Sequence, residues 1–245
     1  MKALKILGAA TKFAALAAVA FSLNACGGEQ AVKANKDMNE KVEGLQKTCL
    51  KNDTQACKKI FEIYKQECDK DNGIGCLRLG YAYLGGKDND YAKIARLAGE
   101  SKDTIQAITY LKKSCDLGWG DACWKLGVEY AKSDTEKAEQ LYAQAISIYE
   151  KRCNDGNPPQ CFNAGIYHYG KNDYQKALPL FKKACDGAKD KDEVRSCSFL
   201  GTMYYQSEGV AQDYEEAKKY YKKVCDMGMQ SGCDDYKMVN EKSKK

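Results

Sequence analysis

Cysteine offers this chain its most versatile chemistry, and thirteen cysteines occur in 245 residues. A cysteine sulfur acts as a nucleophile, a metal ligand or half of a disulfide, and spacing helps to separate these roles. Apart from Cys26, they fall in chain order into neighbouring pairs: Cys49/Cys57, Cys68/Cys76, Cys115/Cys123, Cys153/Cys161, Cys185/Cys197 and Cys225/Cys233. Five pairs are eight residues apart and Cys185/Cys197 is twelve apart. Zinc would need tighter pairs such as Cys-x-x-Cys, or several histidines, and the chain has only His168. No metal site and no cofactor is expected.

Other nucleophiles fare no better. A lysine-activated serine needs Ser-x-x-Lys, which puts the base one helical turn from the hydroxyl. No serine here has lysine three residues on, and Gly-x-Ser-x-Gly, Ser-Asp-Asn and Lys-Thr-Gly are absent. A Ser-His-Asp triad would have to use His168. Twelve paired thiols leave no cysteine nucleophile among them. No residue is therefore assigned a catalytic role.

The elements that hold the cysteines follow from their spacing. The eight-residue gaps contain turn formers, as in Asp116-Leu117-Gly118, Asn154-Asp155-Gly156 and Asp226-Met227-Gly228. Such a gap reads as a helix end, a turn and a helix start, with two cysteines facing across the turn. This regularity favours the six neighbouring disulfides, each adding about 2–3 kcal/mol through a short closed loop. Disulfides of this density call for an oxidising compartment.

The N-terminus supplies a route to one. Lys2, Lys5 and Lys12 precede the apolar run Phe13–Leu23, whose 11 residues fall short of the roughly 20 that span a bilayer as a helix. The run ends in Leu23-Asn24-Ala25-Cys26, which looks like a bacterial lipobox. Residues 1–25 read as a signal peptide, Cys26 as a lipid-bearing first residue, and 26–35 as a tether. An ordinary cleavage after Ala25, leaving Cys26 free, is the alternative. The net charge of +5 owes three units to the signal. The remainder lacks the dense basic patch of a nucleic-acid binder.

Aligning on the cysteines exposes an internal repeat with starts at Cys76, Cys123, Cys161 and Cys197. Leu79-Gly80, Leu126-Gly127, Ala164-Gly165 and Leu200-Gly201 follow at one offset, then Tyr83, Tyr130, His168 and Tyr204 at another. Eight residues before each closing cysteine stand Ala107, Ala145, Ala177 and Ala217; four before it stand Leu111, Tyr149, Phe181 and Tyr221. These offsets make one face on each of two helices, and the glycine admits the bulky residue of the partner helix. His168 falls in the tyrosine column and reads as a packed aromatic substitute. Residues 36–75 add a shorter disulfide-linked pair of helices, 76–232 hold the four repeats, and 233–245 read as a capping helix. The first repeat carries about eleven extra residues between Gly85 and Asp103. Pro179 should kink the second helix of the third.

The pattern Leu-Gly-x-x-Tyr followed by Ala-x3-Tyr-x3-Cys resembles Sel-one-like repeats, relatives of the tetratricopeptide repeat. Cys197–Cys233 carries it best, with Leu200-Gly201, Tyr204, Gly209-Val210, Asp213, Ala217, Tyr220-Tyr221 and Cys225. The Cys-x7-Cys staples narrow the resemblance to the Helicobacter cysteine-rich protein family of exported proteins. It implies an all-α, right-handed αα-hairpin solenoid with each hairpin stapled by a disulfide. Members of that family have been labelled penicillin-binding proteins or β-lactamases, so weak β-lactam hydrolysis is the alternative function.

A stacked-hairpin surface points first to binding. The stripe left over by the core offsets supplies the candidates Arg78, Lys125, Glu129, Asn163, Tyr167, Phe199 and Met203. It grades from basic through mixed charge to aromatic, as would suit an extended peptide. The expected function is an exported, lipid-anchored monomeric scaffold of the outer membrane facing the periplasm, or a secreted one. Its expected partner is a protein or peptide, or a peptidoglycan fragment or β-lactam. It meets the membrane through the lipid on Cys26 and binds no nucleic acid.

Overall fold

The computed structural model describes residues 29–86, 89–190 and 193–243, with side chains from Asn35 onward. Residues 1–25, read from the sequence as a signal, and Cys26 lie outside these residues. Twelve helices and no strand occur among the described residues. They are α1 (Glu29–Cys49), α2 (Thr54–Asp69), α3 (Gly73–Leu84), α4 (Asp90–Ala98), α5 (Thr104–Asp116), α6 (Gly120–Tyr130), α7 (Thr135–Asn154), α8 (Pro158–Gly170), α9 (Tyr174–Asp186), α10 (Arg195–Gln206), α11 (Tyr214–Asp226) and α12 (Gln230–Lys242). They form two compact units, one ending at Ile148 and the other running from Tyr149.

The turns explain the eight-residue cysteine gap. Three residues after the first cysteine of each such pair, Asn52, Asp71, Gly118, Gly156 and Gly228 take a left-handed conformation with φ between 59° and 85°. Each donates its N–H to that cysteine's carbonyl. The next residue's N–H reaches back to the carbonyl before the cysteine, as in Trp119 to Ser114 at 3.1 Å and Asn157 to Arg152 at 3.1 Å. Two such bonds terminate a helix and reverse the chain. The next helix then starts at once, bringing its first-turn cysteine back over the old helix end. Disulfides join Cys49–Cys57, Cys68–Cys76, Cys115–Cys123, Cys153–Cys161, Cys185–Cys197 and Cys225–Cys233, with Cα separations of 4.6–4.9 Å. In the Cys185–Cys197 loop the corresponding residue, Ala188, is not left-handed, and α10 begins only at Arg195.

A second rule closes the loops on the other side of each repeat. The backbone N–H of Asp103, Asp134, Asp173 and Asp213 donates to the carbonyl of Tyr83, Tyr130, His168 and Tyr204 respectively. The side chain of each aspartate then caps the following helix, for instance Asp213 accepting from Glu215 and Glu216 N–H. Loop length between these anchors is free to vary. In the first repeat the extra residues fold as α4, which packs on α2 and α3 and buries Tyr91, Ala92, Ile94 and Ala95.

In the N-terminal unit α1 packs on α2, α2 on α3, α3 on α5 and α5 on α6. In the C-terminal unit the order is α8 on α9, α9 on α10, α10 on α11 and α11 on α12. Glycine sets the closest approaches: an added Cβ at Gly165 would lie 2.7 Å from the Phe181 ring, and at Gly201 the same distance from Tyr221.

The second repeat corrects the reading from sequence. Gly127 is met by Tyr142, with Asp134 and Ala138 completing the set; Tyr149 does not fill this column. Helix α7 has 20 residues where α5, α9 and α11 have 13. The excess is about two turns, so counting back from Cys153 stops short, at Ala145 and Tyr149. Both are nevertheless buried.

Two other boundaries differ. Helix α1 begins at Glu29, inside the stretch read as a tether. Residues 29–36 hold no glycine or proline and two alanines, so they favour helix. The last helix starts at Gln230, three residues ahead of Cys233. Helix α9 runs on through Pro179, with Phe181 still seated on Gly165.

Candidate binding surfaces of the two units

His168 is 7% exposed, and its Nε2 lies 2.7 Å from Glu150 Oε1. Its Nδ1 lies 3.6 Å from Asp173 Oδ2. Lys176, which hydrogen-bonds Asp173, is the main reason that carboxyl is held below its ordinary range. A triad histidine needs one nitrogen on a carboxylate and the other on the nucleophile. Here both ring nitrogens face carboxylates, which leaves none for a serine. His168 tethers α8 to Glu150 of α7 and to the cap of α9.

The seven candidates from the sequence do not share one fate. In the N-terminal unit, Lys125 and Glu129 pair with each other at 2.8 Å, each about a quarter exposed. Arg78 is 6% exposed and is covered, not lining an open face. In the C-terminal unit, Asn163, Tyr167 and Phe199 are partly exposed. Met203 is fully buried among Phe181, Leu200 and Val224, which corrects its assignment to a binding stripe. Helix α10 is packed by both α9 and α11, so its buried arc widens to take in the position beside Tyr204.

Phe199 lies on a cleft of about 290 Å³ lined with Tyr169, Ser198 and Thr202. Its ring stacks on Phe181 at 4.8 Å and meets Tyr169 edge-on at 5.2 Å. Tyr169 donates to Glu208 Oε2 at 2.6 Å, and Tyr174 lies 3.4 Å from Oε1. Burial raises the Tyr169 phenol well above its ordinary value, and the bond to Glu208 adds to this. The hydroxyl therefore stays protonated, a fixed donor to the carboxylate. Thr202 Oγ1 lies 3.0 Å from the Tyr221 hydroxyl. The cleft thus offers aromatic faces and two small hydroxyl residues on a stapled frame.

Sequence reasoning passed over Ser198 and Thr202, although a signal was present. Their columns read Leu77, Trp124, Phe162, Ser198 and Tyr81, Val128, Ile166, Thr202. Only the last repeat puts small hydroxyl residues in these two columns, which elsewhere hold large apolar or aromatic side chains. Tyr169 and Glu208 gave no signal, because loop geometry brings them together.

A wider open groove of about 550 Å³ lies in the N-terminal unit, lined with Asp71, Ile108, Thr109, Lys112, Lys113, Asp116 and Leu117. Lys113 is committed to structure: its Nζ reaches Cys68 O at 2.8 Å and Asp71 Oδ1 at 2.9 Å. Lys223 likewise reaches Cys185 O at 2.6 Å. Each lysine caps the end of an earlier second helix, where a cation is favoured. Among the described residues there is no cluster of metal-ligating side chains and no helix long and apolar enough to cross a membrane.

Paired helices in a repeating register, stapled by disulfides, define an αα-repeat protein. The chain matches the Sel1 repeat over residues 73–119, 120–148, 161–188 and 194–229 and belongs to the Sel1 repeat family. The boundary at 148 agrees with the Tyr142 register of the second repeat. Cytochrome c oxidase assembly factor 7A of Xenopus laevis is 28% identical over 69% of this chain and 78% of its own length. Cytochrome c oxidase assembly factor 7 of Mus musculus is 30% identical over 47% of this chain, which spans about half (53%) of that relative. Two solved structures share the fold. One is a protective antigen of uropathogenic Escherichia coli displaying an SLR fold, with TM-score 0.54, 22% identity and coverage of 81% of this chain and 44% of that one. The other is a Sel1 repeat protein of Oxalobacter formigenes, with TM-score 0.53, 18% identity and coverage of 83% and 87%. Sel1 repeats mediate protein–protein interaction, and the curated relatives are named as assembly factors, not hydrolases.

Proposed function

We propose that this protein is an exported, lipid-anchored scaffold that holds a protein or peptide partner and performs no catalysis of its own. The observation that carries this is the cleft of Tyr169, Ser198, Phe199 and Thr202. It is partly apolar, hydroxyl-edged, and set on helices that the Cys185–Cys197 bond and the Phe181 stack hold in place. Such a surface suits an apolar side chain flanked by peptide backbone, with the Ser198 hydroxyl bonding the backbone. The six disulfides favour an oxidising compartment. Export and anchoring rest on the signal-like segment and the lipobox at Cys26, and the cysteine spacing supports kinship with the Helicobacter cysteine-rich proteins.

The test is site-specific photo-crosslinking in the intact cell. A benzoylphenylalanine at Ser198, on the cleft, should give a discrete protein adduct. The same group at Glu215, whose side chain is 78% exposed on α11, should give none. Equal adducts from both positions, or none from Ser198, would refute the reading.

A further inference from the structure

A carboxylate is fixed beside the open cleft of the C-terminal unit, and no cation answers it. Glu208 lies in the loop between α10 and α11, partly exposed. Tyr169 donates to its Oε2 at 2.6 Å and Tyr174 to its Oε1 at 3.4 Å. Tyr169 also lines the cleft, so the carboxylate stands at the Tyr169 edge of it. The loop itself is held in place. Glu208 N–H donates to the Met203 carbonyl at 2.9 Å, and Gln175 Nε2 donates to the Gly209 carbonyl at 3.0 Å. Ser207 and Gly209 flank Glu208 in left-handed conformations, with φ of 60° and 72°. Gly209 sits so close to α9 that a Cβ added there would lie 2.5 Å from that of Tyr174.

Two phenols orient this carboxylate but do not neutralise it. Burial first, and then Glu208 itself, raise both phenols above their ordinary value, so both remain neutral donors. A carboxylate has about four acceptor positions, which leaves room for a further donor. Among the described residues no lysine, arginine or histidine pairs with Glu208. Asp235 is a second carboxylate without such a partner. It takes on α12 the position that Phe199 takes on α10, two residues after the cysteine, and it is partly buried. Burial pushes the Tyr221 phenol up to about 12, and the charges of Asp235 and Glu208 add to this. The Tyr221 hydroxyl lies 3.0 Å from Thr202 Oγ1, on the cleft wall. Lys242 is turned to the Tyr205 ring at 5.2 Å and pairs with neither carboxylate.

We propose that this cleft takes a peptide bearing a lysine or arginine within two positions of an apolar residue. The apolar side chain lies against Phe199, and the cation meets Glu208. Alternate side chains of an extended peptide share a face and stand about 7 Å apart, which lets both contacts form at once. A negative rim selects a positive partner, and a carboxylate already held in position loses little freedom on binding it.

The proposal rests on the scaffold reading and names the chemistry of its partner. The test is selection from a random heptapeptide library on the disulfide-bonded protein, with affinities of the enriched peptides measured by titration. Two variants accompany the wild type. Glu208→Gln keeps the side chain's shape and removes its charge. Ser198→Tyr fills the cleft with a ring, in a column that already holds Trp124 and Phe162 in other repeats. Wild-type protein should enrich peptides with a basic residue within two positions of an apolar one. Glu208→Gln should bind them about tenfold more weakly, the loss of one charged hydrogen bond, and Ser198→Tyr should bind them more weakly still. Enriched peptides that need the open cleft but carry no basic residue, or that bind Glu208→Gln unchanged, would overturn this inference and leave the scaffold reading standing. Peptides indifferent to Ser198→Tyr, or no enrichment from the library, would overturn both.

Discussion

At the scale of single residues, packing is set by a few small side chains against large ones. Gly165 faces Phe181 so closely that a methyl group has nowhere to go: the ring atoms lie 2.7 and 2.8 Å from its ideal Cβ position. Phe181 cannot retreat, being fully buried and stacked on Phe199. Gly165→Ala should therefore destabilise the protein by about 1–3 kcal/mol despite alanine's higher helix propensity. Phe181→Leu in the same chain should recover part of the loss. Denaturant unfolding of the single and double variants measures both. The glycine column was legible in the sequence because it recurs at a fixed offset. The burial of Met203 was not, because a one-helix wheel cannot show that α10 is packed by helices on two sides.

At the scale of elements, each repeat is registered at two places: the turn after the closing cysteine, and the aspartate that bonds back to the tyrosine column. The first was legible as an eight-residue gap holding turn formers. The second was not, because the aspartates lie at varying distances from the preceding cysteine and only the hydrogen bond makes them equivalent. That is why the second repeat was misregistered from Cys153 and is correctly placed from Asp134. The cap also predicts a pH dependence. Asp103 accepts from Ile105 and Gln106 N–H, and the Gln106 bond leads the causes that hold its carboxyl below the usual range. A carboxylate whose pKa is lower folded than unfolded stabilises the protein above its unfolded value, near pH 4, and loses that contribution as pH falls through the folded one. Asp103→Asn should lose stability at neutral pH and show a shallower further loss between about pH 4 and pH 2. Unfolding midpoints across that range, compared with the wild type, measure the slope.

At the scale of the whole molecule, repetition made the fold class readable. One hairpin pattern, repeated with its cysteines, specifies an all-helical array without any long-range information. Function was less readable, because a partner is recognised by what the repeats do not share. The hydroxyls of Ser198 and Thr202 are departures from the repeat pattern, and the structure was needed to show what surrounds them. The register of both units depends on the disulfides. Non-reducing proteolysis and mass spectrometry of the protein produced in a bacterial periplasm test this most directly. The account predicts six bonds between neighbours, including the twelve-residue Cys185–Cys197 loop, with a diacylglycerol mass on Cys26. Free thiols among the twelve, or bonds that cross between pairs, would contradict the repeat register and every contact derived from it.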